Sequence, residues 1–580
     1  MLLLSPLTAW PAAHNEVSAA GQAEADAAQR PKTILDLQPF RRTQTLALTG
    51  SDRLRAVTLI NLHPAINRWY LLRLSWRDGA AETAYHLENA LPHEQDLQLH
   101  NDHPEGLVIV ADTQQHVCAL WTAPAPLEAA RGAALPYAPL CGGKLYLRNP
   151  VKGHKTTLEA TASFLRDTIW GGDKIVGFMR DTFFKDAYRQ TAILQAGAPS
   201  DAVTLHARET DEAPQPATLA AQYHTHRVTP TGLGLSLQQP TPGVVLGRWY
   251  AAQDNPGIYI SVIQPSVLAP EILQGFPALL NRLDSVEATS LVYLVAFDLQ
   301  HFDLGFGLGT EHPRVRWSER IPAQMKDHAL PGPDGIGAVT PLVTVGLVAP
   351  SQAARTVATF TGGFKRHHGA FRAGHLATRN HGSHYGFIEH GVVFSKLQPG
   401  LATLVVLADG TVTMQTWADD DPAALARIQH ARQNGVPLIT YDAKTQTSAP
   451  GPLVHHWGQG NWSGSADKQL RTLRAGACLQ ALPHKRFLIY GYFSSATPSA
   501  MARVFQAYAC QYAMLLDMNA LEHTYLALYR RQGANILVQH LVQDMNVLDK
   551  VASGQYVPRF LGYADNRDFF YLVRRSSNKE

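Results

Sequence analysis

Thr359 to Gly391 reads TFTGGFKRHHGAFRAGHLATRNHGSHYGFIEHG. It sets His367, His368, His375, His381, His384 and His390 beside Lys365, Arg366, Arg372 and Arg379 among glycines, with too few apolar residues for a core helix. Glycine admits positive φ and close backbone approach to a ligand, and His and Arg side chains suit phosphate or sugar oxygens. The stretch reads either as one wall of an anion site or as a solvated connector. Its flanks decide between them.

Working outward, Thr356 to Phe360 is strand-like and runs into Gly362-Gly363-Phe364, and Tyr385-Gly386-Phe387 closes the far side. Leu401 to Leu407 (LATLVVL), Asp409-Gly410 and Thr411 to Trp417 predict a hairpin. Pro422 to Asn434 (PAALARIQHARQN) follows an acidic Asp419-Asp420-Asp421 cap and stops at Gly435, which predicts a helix. Then come Asn461-Trp462-Ser463-Gly464, Arg474-Ala475-Gly476-Ala477-Cys478 and the buried-strand pattern Arg486 to Phe493. Ser499 to Tyr512 predicts an amphipathic helix, and Ala513 to Asp517 a strand that delivers an Asp at its end.

That order of elements resembles the phosphodiester glycosidase family, the relatives of the lysosomal uncovering enzyme. The resemblance spans about 340 to 530. Thr361-Gly362-Gly363-Phe364, Arg474-Ala475-Gly476-Ala477 and Leu516-Asp517-Met518-Asn519 stand where that family has N-x-G-F-F, R-T-A-I-G and L-D-G-G-G-S. Two departures are visible: Thr361 replaces the family Asn, and Met518-Asn519-Ala520 replaces its glycines. The resemblance implies a mixed α/β domain resembling that family and hydrolysis of a sugar phosphodiester; with the strand-rich N-terminal part read from its own residues, the chain is expected to be α+β, an antiparallel β module followed by that mixed α/β domain.

Such chemistry needs a grip on phosphate, stabilisation of an oxocarbenium-like carbon and an acid or base near neutral pH. Arg474 is the candidate phosphate ligand because a guanidinium grips two oxygens. Asp517 is the candidate carboxylate, and His384 the candidate proton donor, with His368 and His381 competing. Gly362, Gly363, Phe364, His368, His381, Asn461, Trp462 and Asn519 are the expected substrate contacts. Trp457, Trp462, Tyr490 and Tyr492 could serve as sugar platforms or as core. The expected ligand is a carbohydrate or sugar phosphate, and the rival reading is a catalytically silent carbohydrate-binding or envelope scaffold protein.

The rest of the 580 residues sets the context. Hydrophobic residues make up 45% and charged ones 17%, so large cores are expected and disorder is excluded as the main state. A formal charge of +3 without a Lys/Arg block excludes a nucleic-acid surface. MLLLSPLTAWPAAHNE resembles the end of a secretory signal without its basic part, which points to a periplasmic or extracellular protein. No apolar run of about 18 residues predicts a membrane span.

The chain divides into a leader at 1–32, a β-rich module at 33–150, a helical region and linker at 151–240, and the glycosidase-like part at 241–575. In the module, WYLLRLSW (69–76), GLVIVA (106–111), HVCALWT (116–122) and KLYLR (144–148) read as strands. Thr156 to Trp170 predicts a capped helix, and Asp173 to Leu194 further helical structure. Gly243 to Pro265 predicts two strands joined at Asp254-Asn255-Pro256-Gly257, and Ser290 to Leu299 a buried strand. The loop with Glu311, His312, Arg314 and Arg316 reads as pocket wall or plain surface. Cys118 with Cys141 and Cys478 with Cys510 stand as two bridges or four buried thiols. Neither HExxH nor a Cys/His finger is present, and no metal or other cofactor is expected.

Overall fold

The structure, a computed structural model, describes residues 30–49, 51, 53–122, 124–168, 186–197, 213–238, 243–318, 321–366, 385–418, 421–455, 471–533 and 535–575. Its first part is an antiparallel sheet of six strands. Arg42–Ala47, Leu54–Asn61, Trp69–Trp76 and Thr83–Asn89 follow in sequence, and Leu145–Arg148 and Tyr137–Leu140 complete it. Asp96–Gln98, Gly106–Ala111 and Gln114–Ala119 form a second, smaller sheet. Tyr70, Leu72 and Leu87 of the large sheet and Leu107 and Ile109 of the small one share one apolar core.

Three antiparallel sheets dominate the rest. The largest runs Tyr250–Ala251, Ile258–Ile263, Val292–Asp298, Arg486–Ala496, Thr472–Ala481, Tyr512–Met518, Pro437–Asp442 and Thr447–Pro450. A second orders Phe302–Gly307, Phe569–Arg574, Thr356–Thr361, Leu526–Gln532 and Asn535–His540. The third orders Val392–Ser395, Phe387–Glu389, Ile428–Gln433, Ala402–Leu407 and Val412–Thr416. The first two are stacked face to face. Phe360 meets Phe297 at 6.3 Å and Tyr490 at 5.2 Å between ring centroids, with Phe570 beside it at 5.3 Å. Tyr490 and Tyr492 are fully buried, so they are core and not sugar platforms.

The expected α+β class with a mixed α/β domain is therefore corrected to a mostly β architecture. Every pairing between strands among the described residues is antiparallel, so no helical crossover is needed to return the chain. The helix Pro498–Ala507 does form, capped by Thr497, and buries nearly all of its surface. The helix read over 422 to 434 does not. Asp421 caps a single turn, Pro422–Leu425, and the chain then enters the strand Ile428–Gln433. Pairing on both sides decides it, because Phe387–Glu389 and Ala402–Leu407 each need a partner there. Of the stretch 173–194, residues 186–194 are turn and coil, and the rest lies outside the described residues.

Both cysteine pairs are disulfides, with Cα atoms 5.7 Å apart for Cys118–Cys141 and 5.9 Å for Cys478–Cys510. The first staples the module, and the second ties a central strand to the end of the helix Pro498–Ala507. No described helix is long and apolar enough to cross a membrane. The module is sealed onto the third sheet: Trp69 packs edge-on against His390 and Phe394, and Gln38 exchanges hydrogen bonds with Val393.

Candidate functional site

Strand Thr356–Thr361 ends at Gly362 and Gly363, and both must be glycine for a steric reason. A Cβ on Gly363, at φ +140°, would lie 2.6 Å from Arg432 Nη1, and one on Gly362 would lie 2.8 Å from Asp568 Oδ2. The turn is thus wrapped around a buried ion pair. Arg432 Nε donates to Asp568 Oδ2 at 2.7 Å, and its Nη2 donates to the Phe364 carbonyl at 2.8 Å. His312 Nδ1 lies 2.9 Å from Asp568 Oδ1. Burial opposes ionisation of Asp568, but Arg432 and His312 outweigh it and hold the carboxyl far below its usual range. Asn434 links the turn to the next sheet, accepting from Phe364 N and donating to the carbonyls of Leu515 and Leu516.

Those carbonyls precede Asp517, whose Oδ2 accepts from Arg567 Nη1 at 2.5 Å and whose Oδ1 accepts from Met518 N at 2.8 Å. Burial raises the Asp517 carboxyl to about 6, with Arg567 pulling it back. His523 comes next. Its Nδ1 faces the Met518 carbonyl at 2.7 Å, which can only accept, and its Nε2 faces Arg567 Nη2 at 2.7 Å, which can only donate. The ring is therefore the neutral Nδ1–H tautomer. Burial, with Arg567 beside it, holds its pKa well below the ordinary value.

The far side of Arg567 meets an unexpected group. Glu159, on the helix Thr157–Thr168, places Oε1 3.0 Å from Arg567 Nη2, 2.9 Å from Lys365 Nζ and 2.9 Å from Asn566 Nδ2. Burial alone would raise this carboxyl, but Arg567 and Lys365 drive it far below the ordinary range. Lys365 also reaches Glu311 Oε2 at 2.8 Å, and Glu311 pairs with Lys155. Burial opposes ionisation there too, but Lys365 outweighs it, and the Glu311 carboxyl falls to about 2. Asp517, His523, Arg567, Lys365, Asn566 and Glu159 thus form one continuous cluster.

Of the residues expected from sequence, Asp517, Gly362, Gly363 and Phe364 converge around Arg432, Arg567 and Asp568. Asn519 sits in the turn after Asp517 at φ +82°, a left-handed conformation Asn tolerates where other side chains resist it. Its N donates to the Leu473 carbonyl at 2.8 Å. Arg474 is 1% exposed and lies on another face. Its Nη1 reaches Met518 Sδ and its Nε donates to the Ala496 carbonyl at 2.8 Å, and neighbouring side chains on a strand point to opposite sides. His384, His368, His381, Asn461 and Trp462 lie outside the described residues, as does Trp457.

Sequence reasoning passed over Arg567, Asp568, Arg432 and Glu159. The run Asp565-Asn566-Arg567-Asp568 was the available signal, a dense charge cluster directly before the apolar strand FFYLVR. In the loop read as pocket wall or surface, His312 is buried against Asp568 and Glu311 is half-buried between Lys155 and Lys365, while Arg314 and Arg316 are exposed. Among the described residues no group of three or more metal-binding side chains is assembled.

No family model matches the chain, and no curated protein matches it. Among solved structures, it is similar to the catalytic domain of zebrafish N-acetylglucosamine-1-phosphodiester alpha-N-acetylglucosaminidase auto-inhibited by pro-peptide. That likeness covers 56% of this chain and 85% of that one, at 9% identity and a TM-score of 0.29. It is also similar to a Burkholderia pseudomallei protein described as exported, over 66% of this chain and 91% of that one, at 11% identity and a TM-score of 0.20. Both likenesses are distant.

Proposed function

We propose that this protein is a hydrolase of sugar phosphodiesters working outside the cytoplasm, in the periplasm or beyond, on an envelope or extracellular glycan. One observation carries the reading. A buried carboxylate already fills a cradle of Arg567, Lys365 and Asn566, directly beside Asp517 and a neutral imidazole. Donors that satisfy a carboxylate also satisfy a phosphate oxygen, and Arg does so with two nitrogens at once. The phosphate role expected of Arg474 passes to Arg567, which touches Asp517, while Arg474 secures the strand behind it. The two disulfides suit an oxidising compartment.

In the proposed reaction the phosphodiester oxygens occupy the cradle and the anomeric carbon faces Asp517. Water attacks that carbon, and its proton passes to the Asp517 carboxylate. The carbon–oxygen bond to phosphate breaks, its electron pair stays on the phosphate oxygen, and Arg567 and Lys365 hold the added charge. His523 fixes the Arg567 fork through its Nε2 lone pair.

A silent binding or scaffold protein is the second reading, favoured by the same Glu159, since a cradle plugged by its own chain is what lost turnover leaves behind. Release of reducing sugar from a hexose 1-phosphodiester separates the two. Wild type should turn over, and Asp517→Asn and Arg567→Met should each lose on the order of 10²-fold or more in kcat/KM. Turnover indifferent to Asp517→Asn, or binding without release, sinks the hydrolase reading.

A further inference from the structure

The helix Thr157–Thr168 brings a charged group to the site from its first turn. Among its described side chains only Glu159 is buried, at 6% exposed, while Leu158 is 42% and Phe164 58% exposed. Its first turn meets the site through a carboxylate whose single oxygen takes Lys365, Arg567 and Asn566 together. Its first turn adds only polar ties: Glu159 N donates to Thr156 Oγ1 at 3.1 Å, and Thr156 Oγ1 donates to Glu522 Oε1 at 3.4 Å. Meanwhile the buried Arg567 Nε has no hydrogen-bond partner among the described residues. The carboxylate therefore leaves unspent a donor that a tetrahedral phosphate, with four oxygens against the carboxylate's two, could use.

We infer that Glu159 is an internal ligand that a phosphate group displaces, so that anion entry lifts the helix from the cradle and exposes Asp517 and His523. The inference rests on reading the cradle as the phosphate position. It adds that a competing charge occupies the site before substrate arrives. A tethered competitor acts at an effective concentration of about millimolar, so free phosphate must reach that range to displace it. Removing the competing charge removes the contest.

Hydrogen exchange on the full-length protein tests this, with inorganic phosphate as the probe and sodium chloride at matched ionic strength as control. Phosphate, and not chloride, should accelerate amide exchange across 157–168 with saturation, while the helix Pro498–Ala507 stays protected. In Glu159→Gln the 157–168 amides should exchange fast without phosphate. Calorimetry should then show inorganic phosphate binding at least tenfold tighter than to wild type, and binding should vanish in Arg567→Met. Phosphate bound with helix protection unchanged, no tightening in Glu159→Gln, or binding that survives Arg567→Met each overturns the inference. Should Glu159→Gln fail to fold, the wild-type exchange decides alone. These readouts need no turnover, so failure of the hydrolase reading is scored separately by sugar release.

Discussion

Replacing Asp568 by Asn keeps the side chain's shape and removes its charge, which isolates what the Arg432–Asp568 pair does. Both side chains are fully buried, and Arg432 also donates from Nη1 to the Gln433 carbonyl and Asn434 Oδ1, at 2.7 Å each. The variant leaves a guanidinium with hydrogen bonds but no countercharge. Breaking one partner of a buried pair costs roughly 3–5 kcal/mol, against a total stability of about 5–15 kcal/mol for a typical domain. Urea unfolding, followed by tryptophan fluorescence, should show the transition moving to much lower denaturant. Asp409→Asn is the matched control, because its partner Arg427 is 3.9 Å away and both are exposed, and it should leave the midpoint in place. The sign with pH is also determined. A carboxyl held below its unfolded value contributes stability above about pH 4, lost as pH falls through the lower folded value, so the gap between wild type and Asp568→Asn should narrow on acidification. A loss under about 1 kcal/mol at neutral pH would refute the claim that the Gly362–Gly363 turn is built around this pair.

Asp517 behaves oppositely. Its folded value of about 6 exceeds the unfolded one, so its contribution, roughly 3 kcal/mol, is fully present below about pH 4 and lost as pH rises through 6. In its proposed role as proton acceptor it should give kcat/KM a limb rising through about pH 6, and Arg567→Met should move that limb to higher pH; a flat profile from pH 5 to 7 would remove Asp517 from that role. Gly363→Ala places a methyl against Arg432 Nη1 and should cost about 2 kcal/mol or more by denaturant titration, while Gly79→Ala, whose new Cβ meets nothing within 4 Å, should cost less. Equal losses at the two glycines would show that backbone strain alone, and not the ion pair, demands glycine.

Strands bounded by turns, such as Trp69–Trp76, Val292–Asp298 and Tyr512–Met518, were legible because burial and turn chemistry are local. The strand Ile428–Gln433 was not, since its apolar spacing also satisfies a helix and only its two neighbours exclude one. The same limit applies to the site. Asp517 could be found from a strand that ends in a carboxylate, and Gly362 and Gly363 from their motif. The pairing of Arg567 with Glu159 could not, because 408 residues separate them and nothing local to either announces the other. Arg474 shows the complementary hazard. Its register partner is Met518, one position from Asp517, yet that single step turns it to the opposite face.

The strand Phe569–Arg574 lies between Phe302–Gly307 and Thr356–Thr361 in the interior of its sheet, and the residues just ahead of it supply Asn566, Arg567 and Asp568. During synthesis those strands emerge more than two hundred residues before the one that joins them. A ribosome that has reached residue 560 has made every other strand of that sheet but holds a nascent chain that cannot close it. Long-range pairing of this kind folds slowly. Because Asn566, Arg567 and Asp568 lead directly into that strand, closing the sheet and assembling the charge cradle are one event.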